Sequence, residues 1–202
     1  MKEDILEQLV DSYFLKQQGC FTKHNLKYRP DATAYKPEDT KKYSVHSDID
    51  IISYNPIEKQ TTVVSCKSWQ NGFNVKTYLN YLEKDKMKII SGRSVWKSFR
   101  ELTDELWAEA FLQKIQDETG SRNFKYIIAV TKLINKDFKA DFCNSPTFLN
   151  ILTEKGKNKV TIDFLTIEEI IDSFQLSASS HTIESSEIGR ILQLLNAAGY
   201  SL

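Results

Sequence analysis

Apolar residues recur at helical spacing near the start of the chain. Ile5, Leu6, Leu9, Val10, Tyr13 and Phe14 trace one stripe, which predicts a helix over residues 3–18 with Gly19 beyond its end. The period then shortens to two. Phe21 to Tyr28 alternates as a strand, and His46–Ser53 and Thr61–Ser68 are two more, joined by YNPIEKQ, whose Asn-Pro and polar residues suit a turn. Between the first two strands, residues 29–44 (RPDATAYKPEDTKKYS) carry two prolines and no apolar period. They predict a long loop, of a length that is often mobile or functional. Helical spacing returns over 75–90 and, after Ser91-Gly92-Arg93, over 94–118, where Phe99, Leu102, Leu106, Trp107, Phe111 and Ile115 form the buried stripe of the longest helix. FKYIIAVT (124–131) is a continuous apolar run and predicts a strand inside the sheet. A short helix is expected over 145–155, a strand over 159–165 and a helix over 166–174 with Thr166 as its N-cap. A serine-rich linker (177–186) and a last helix (187–198) with Gly199 at its end close the chain.

This order predicts an α/β fold, a mixed β-sheet flanked by helices. Residues 1–176 read as one domain, and 177–202 as a linker and a C-terminal helix that packs on the domain or on a partner. A chain of 202 residues buries a core without disulfides. Cys20, Cys66 and Cys143 are odd in number and scattered, which suits neither a disulfide framework nor a zinc site. The N-terminal apolar pattern is interrupted by acids, unlike a signal peptide, and no apolar run approaches the ~20 residues of a membrane span. A reduced, cytoplasmic protein without a membrane partner is expected. Formal net charge is zero, so any nucleic-acid surface must be a local basic patch.

Candidate chemistry gathers on the strand pair. In SDIDII, regular alternation sends Asp48 and Asp50 to one face and Ile49 and Ile51 to the other. In VVSCKSW, Val63, Ser65 and Lys67 share a face, opposite Val64, Cys66 and Ser68. Paired as a hairpin, the strands bring two carboxylates, a hydroxyl and an ammonium together, a set that is costly to bury without purpose. Carboxylates suit a hard divalent cation, which polarises a phosphoryl oxygen and acidifies a bound water. A lysine beside it orients that water or meets the charge developing on phosphate. A plain cross-strand ion pair uses the same residues.

SDIDII followed by VVSCKSW resembles the PD-(D/E)XK, or restriction-endonuclease-like, nucleases. In that family an aspartate ends one strand and an acid-x-lysine tripeptide sits on the next, often after a leading helix that bears a glutamate and a strand. The likeness covers roughly residues 3–131 in element order, and its sharp part is 46–69. It implies a restriction-endonuclease-like sheet, with Asp50 as the motif aspartate, Lys67 as the motif lysine and Glu7 as the helix glutamate. Catalytic candidates are thus Asp50, Lys67, Glu7 and Ser65, and metal candidates Asp50, Glu7 and Asp48, with Mg²⁺ or Mn²⁺ as cofactor. The departure is Ser65, which stands where the motif has an acid. Asp48, or Glu101 or Glu105 from the long helix, are the alternatives for that carboxylate.

Gln70, just past the strand, and the cations Arg93, Lys97 and Arg100 are expected to touch DNA. Lys36, Lys41 and Lys42 lie in the long loop among Asp31, Glu38 and Asp39. The implied activity is metal-dependent endonucleolytic hydrolysis of DNA phosphodiester bonds, and cutting both strands would favour a homodimer. The alternatives are an inactive nuclease-like domain that binds DNA or a protein, and a plain α/β interaction module.

Overall fold

The run Phe124–Val130 does lie inside a sheet, paired along both edges. In the computed structural model, which describes residues 4–17, 19–90, 92–178 and 187–198, five strands form a mixed sheet flanked by helices. Helix α1 (Ile5–Leu15) leads to β1 (Phe21–Tyr28). A 3-10 turn and α2 (Thr40–Tyr43) precede β2 (Ser47–Asn55) and β3 (Gln60–Lys67). Then come β4 (Phe73–Asn74), α3 (Val75–Lys84), the hairpin β5 (Ile89–Ile90) and β6 (Arg93–Ser94), a 3-10 turn at Val95–Ser98, α4 (Arg100–Thr103) and α5 (Glu105–Thr119). The chain continues through β7 (Phe124–Val130), β8 (Leu133–Ile134), α6 (Lys139–Cys143), α7 (Pro146–Leu152), β9 (Val160–Thr166), α8 (Ile167–Ala178) and α9 (Glu187–Ala197). The sheet order is β1-β2-β3-β7-β9, antiparallel from β1 to β3 and parallel from β3 to β9.

Each face of the sheet buries its own core. On one side Leu6, Val10 and Phe14 of α1 and Ile170 and Phe174 of α8 cover Ile51, Val64, Ile127 and Ala129. On the other, a larger and more aromatic cluster packs Trp107, Phe111 and Ile115 of α5, with Phe142 and Phe148, against Tyr28, Val63, Tyr126 and Ile128. Helix α9 packs against α1 and α8. The serine-rich linker falls largely on residues outside those described. Among the described residues, no helix is long and apolar enough to cross a membrane.

Helices α1, α3, α5 and α8 start at side-chain caps. The Asp4 carboxylate accepts from Leu6 N at 2.9 Å, and Thr166 and Glu169 form a reciprocal capping box at α8, as the Thr166 N-cap predicts. The helix expected over 94–118 is broken twice. Asp104 is extended (φ −142, ψ 122), and its carboxylate accepts from Leu106 N and Trp107 N, so α5 restarts there. The apolar stripe runs on through the break, which is why periodicity reads one helix. The helix expected over 75–90 stops at Lys84, and Ile89–Ile90 turns back as a hairpin strand instead. The long loop is also tied down: Tyr43 is buried, and its hydroxyl donates to Asp104 Oδ2 at 3.1 Å.

Gly72 holds the turn after β3 against β8. Its φ is +83, and a Cβ there would stand 2.5 Å from Lys132 Cγ and 2.9 Å from the Lys132 carbonyl oxygen. The next residue, Phe73, donates its N–H to that carbonyl. Gly72→Ala should therefore cost about 2 kcal/mol in urea unfolding, more than the ordinary penalty of a left-handed alanine. A neutral result would mean that the turn relaxes freely.

Candidate functional site

The strand pair departs from the regular alternation read in the sequence. Ile49 belongs to the aromatic core and Ile51 to the α1 core, although they are two apart on one strand. The neighbouring strand slips at the same level, where Leu26 packs on the aromatic core while His24 meets Asp11 of α1 at 3.0 Å. Asn25, between them, has φ +53, and Asn25 and Asp50 are missing from an otherwise unbroken register. The β2–β3 ladder also ends at Ile51–Val64. Beyond it the strands part, and the Asp50 side chain fills the opening: its Oδ2 accepts the Cys66 N–H at 2.6 Å, in place of a ladder bond. The faces assigned by alternation hold for β3 but not across Asp50 in β2, because this side-chain bond replaces backbone pairing.

Three charged groups act on Asp50 there. Burial raises its carboxyl above the usual aspartate range, Lys67 and the Cys66 N–H pull it down, and Glu101 and Asp48 push it up. Lys67 Nζ donates to Ser65 Oγ at 2.7 Å and lies 5.3 Å from the centroid of the Phe99 ring. Ser65 therefore holds the lysine through a neutral hydroxyl and supplies no charge. A second buried carboxyl whose charge acts on Asp50 comes from α4. Glu101 is only 5% exposed; Tyr126 donates to its Oε1 at 2.5 Å and Tyr28 to its Oε2 at 3.4 Å. Ser65 also acts on the Tyr126 hydroxyl, so Glu101 and the Ser65–Lys67 pair meet around one tyrosine. Burial first, and then the Glu101 charge, hold both tyrosines well above their usual values, so they act as fixed donors.

The other expected residues lie around this point in different ways. Glu105 is exposed at the start of α5 and does not join the site. Asp48 is exposed beside Asp50 and Arg100 and acts on both. Glu7 lies on the α1 side, where its charge, with those of Asp50 and Asp4, adds to burial in raising the Cys66 thiol. That thiol stays protonated and inert. Ser68 donates to Asp4. Gln70 is exposed in the turn before Gly72, while Trp69 stacks on Tyr78 and Phe73 and so serves packing.

The donor set bears on whether a divalent cation fits. Among the described residues, no three of His, Cys, Asp and Glu stand together as metal ligands. Magnesium is commonly held by one or two carboxylates, completed by waters and substrate phosphate oxygens. Asp50 with Glu101 or Asp48 suits a cation completed by substrate, and does not suit a preformed all-protein cage.

A basic cleft opens beside these acids. Its volume is about 490 Å³, and Lys41, Lys42, Lys86, Lys97, Arg100 and Trp96 line it, with Asp104 as its acid. Arg100 connects the two regions, since it directly precedes Glu101 and feels Asp48. Lys97 and Arg93 are exposed nearby, and Arg93 bonds the Lys97 carbonyl at 3.3 Å. Of the cleft residues, Lys86, Lys97 and Arg100 belong to the basic run that the sequence offers for phosphates, and Lys41 and Lys42 to the long loop. Trp96 joins them through the β5–β6 hairpin, where its backbone N–H donates to the Lys86 carbonyl at 3.1 Å.

Comparison with protein-family models, with curated proteins and with solved structures gives no match to this chain. The functional argument therefore rests on the geometry.

Proposed function

We propose that this chain is a nuclease-like domain that hydrolyses DNA phosphodiester bonds with the help of Mg²⁺ or Mn²⁺. The observation that carries this reading is Asp50, lodged where β2 and β3 part, with the Lys67 ammonium and the Glu101 carboxyl acting on it. The helix, strand and hairpin order, and the αβ sheet built on it, agree with the resemblance to PD-(D/E)XK nucleases.

Asp50 and Glu101 would hold the cation, with Asp48 at the rim. When bound, the cation supplies polarisation of the phosphoryl oxygen and a more acidic water. The protein's own groups do the rest. The Ser65 hydroxyl accepts one Lys67 N–H and so aims the ammonium, leaving two donors for an attacking water or a phosphate oxygen. Arg100, Lys97 and Arg93 are placed to grip neighbouring phosphates, which fixes the strand without reading its sequence.

The test is cleavage of supercoiled plasmid with Mg²⁺ or Mn²⁺. Lys67→Ala is expected to slow cutting about 100-fold, in the range of a lost electrostatic or proton-handling group. Equal rates for parent and variant would sink the proposal. One observation favours a second reading, a silent domain that binds DNA: Ser65 supplies a hydroxyl where the motif has a carboxylate. That reading predicts salt-sensitive DNA binding and no cleavage with either metal.

A further inference from the structure

The cleft next to Arg100 carries more positive charge than its surroundings use. Five cations line it against one acid, Asp104. Asp104 is already committed, since it accepts from Lys42 Nζ and Tyr43 OH and caps α5. With Lys42 matched to Asp104, there remain Lys41 and Lys97, Lys86, whose Nζ meets only a neutral partner, the Thr103 carbonyl, at 2.9 Å, and Arg100, on which Glu101 and Asp48 act from outside the cleft. The larger cleft beside Tyr28 offers no such bias, because its Lys27, Arg29 and Lys114 face Asp31, Glu109 and Asp117.

Unused donors point the same way. Trp96 is 7% exposed, yet its indole N–H has no acceptor among the described residues. The buried Arg100 Nε–H is also without one, and the Arg100 Nη1 contact to the His46 carbonyl is long at 3.4 Å. Buried donors are seldom left unpaired, so both mark polar groups at the wall of the cleft whose pairing the fold leaves incomplete. The cleft also has an apolar side. Val45 and Met87 line it and are 43% and 64% exposed. Its volume lies within the usual range for small-molecule sites.

We propose that this cleft binds the phosphate monoester of a nucleotide, either free or at a strand end, with its sugar or base against Val45 and Met87. A monoester fits better than an internal diester. It carries close to two negative charges and three terminal oxygens, enough to answer several of the lining cations together. A diester carries one charge and two such oxygens. The inference stands on the cleft alone and does not require the chain to cut DNA.

Binding in a chelating buffer tests it, since no metal-dependent cleavage intervenes. A labelled single-stranded oligonucleotide with a 5′-phosphate is compared by fluorescence anisotropy with its 5′-hydroxyl twin and with a 3′-phosphate version, and AMP and inorganic phosphate are added as competitors. A phosphorylated end should bind about tenfold tighter, and Arg100→Gln should erase that preference. Lys97→Gln and Lys41→Gln alter exposed side chains, so they keep the test valid if Arg100→Gln fails to fold; each should reduce the preference several-fold. AMP or phosphate binding that these variants weaken, with no preference for an oligonucleotide end, assigns the cleft to a free nucleotide. If the three oligonucleotides bind alike and AMP and phosphate do not bind, the proposal is overturned. Loss of plasmid cleavage alone leaves it standing.

Discussion

Replacing Asp50 with asparagine should lower metal-dependent cleavage at least about a thousandfold and, at neutral pH, raise the melting temperature. The first effect follows from the proposed role. A metal-held oxygen contributes several kcal/mol in the transition state, and about 4 kcal/mol corresponds to three decades in rate. The second follows from burial. The Asp50 carboxyl is raised chiefly by desolvation, and then by Glu101 and Asp48, in spite of Lys67 and the Cys66 N–H. A group whose folded value is raised binds its proton more tightly in the folded state, so folding is opposed once that proton is lost. Below the unfolded value, near 3.8, both states are protonated and the cost vanishes; it enters as pH rises through the raised folded value. Asparagine removes this cost, and its carbonyl can still accept from Cys66. The gap in melting temperature between variant and parent should thus be widest at neutral pH and close below about pH 4. A variant that is less stable than the parent at neutral pH would refute the burial argument, and one that still cuts would refute the role.

Much of the fold was legible from local pattern, because pattern and tertiary structure agree there. The continuous run Phe124–Val130 predicts a strand inside the sheet, and it is paired on both sides. Thr166 predicts a helix start, and it caps one. The failures share a cause, which is a side chain taking over a backbone role. Asp104 restarts a helix that an unbroken apolar stripe conceals. Asp50 substitutes for a ladder bond, and Asn25 turns left-handed opposite it, so alternation assigns Ile49 and Ile51 to one face when they belong to two cores. The site was legible as far as Asp50, Ser65 and Lys67, which lie within one hairpin. Glu101 was recognisable only as one of several acids on a helix, because its selection depends on Tyr28 and Tyr126, 73 and 25 positions away. Those tyrosines look like ordinary strand aromatics in sequence. A polar-tipped aromatic on the core face of a strand, where a phenylalanine would pack as well, is the signal that could have found them.

Two substitutions at Glu101 separate its structural role from a catalytic one. Glu101→Ala would leave the hydroxyls of Tyr28 and Tyr126, both in the core, without their acceptor, and would open a void beside them. An unsatisfied buried group costs about 1–3 kcal/mol, and the void adds to this, so a loss of about 3–5 kcal/mol in urea unfolding is expected. Glu101→Gln keeps the volume. Its carbonyl can accept from Tyr126 and its amide can donate to the Tyr28 oxygen, so stability should stay within about 1 kcal/mol of the parent. Cleavage should still fall sharply in Glu101→Gln, because a neutral amide is a poor ligand for a hard cation. If Glu101→Gln folds and cuts as the parent does, Glu101 is an acceptor for two tyrosines and nothing more, and exposed Asp48 becomes the carboxylate that partners Asp50. If it is as unstable as Glu101→Ala, the tyrosine pair needs the charge itself. The buried carboxyl would then be part of the fold's own electrostatics, together with the two tyrosine hydroxyls that donate to it.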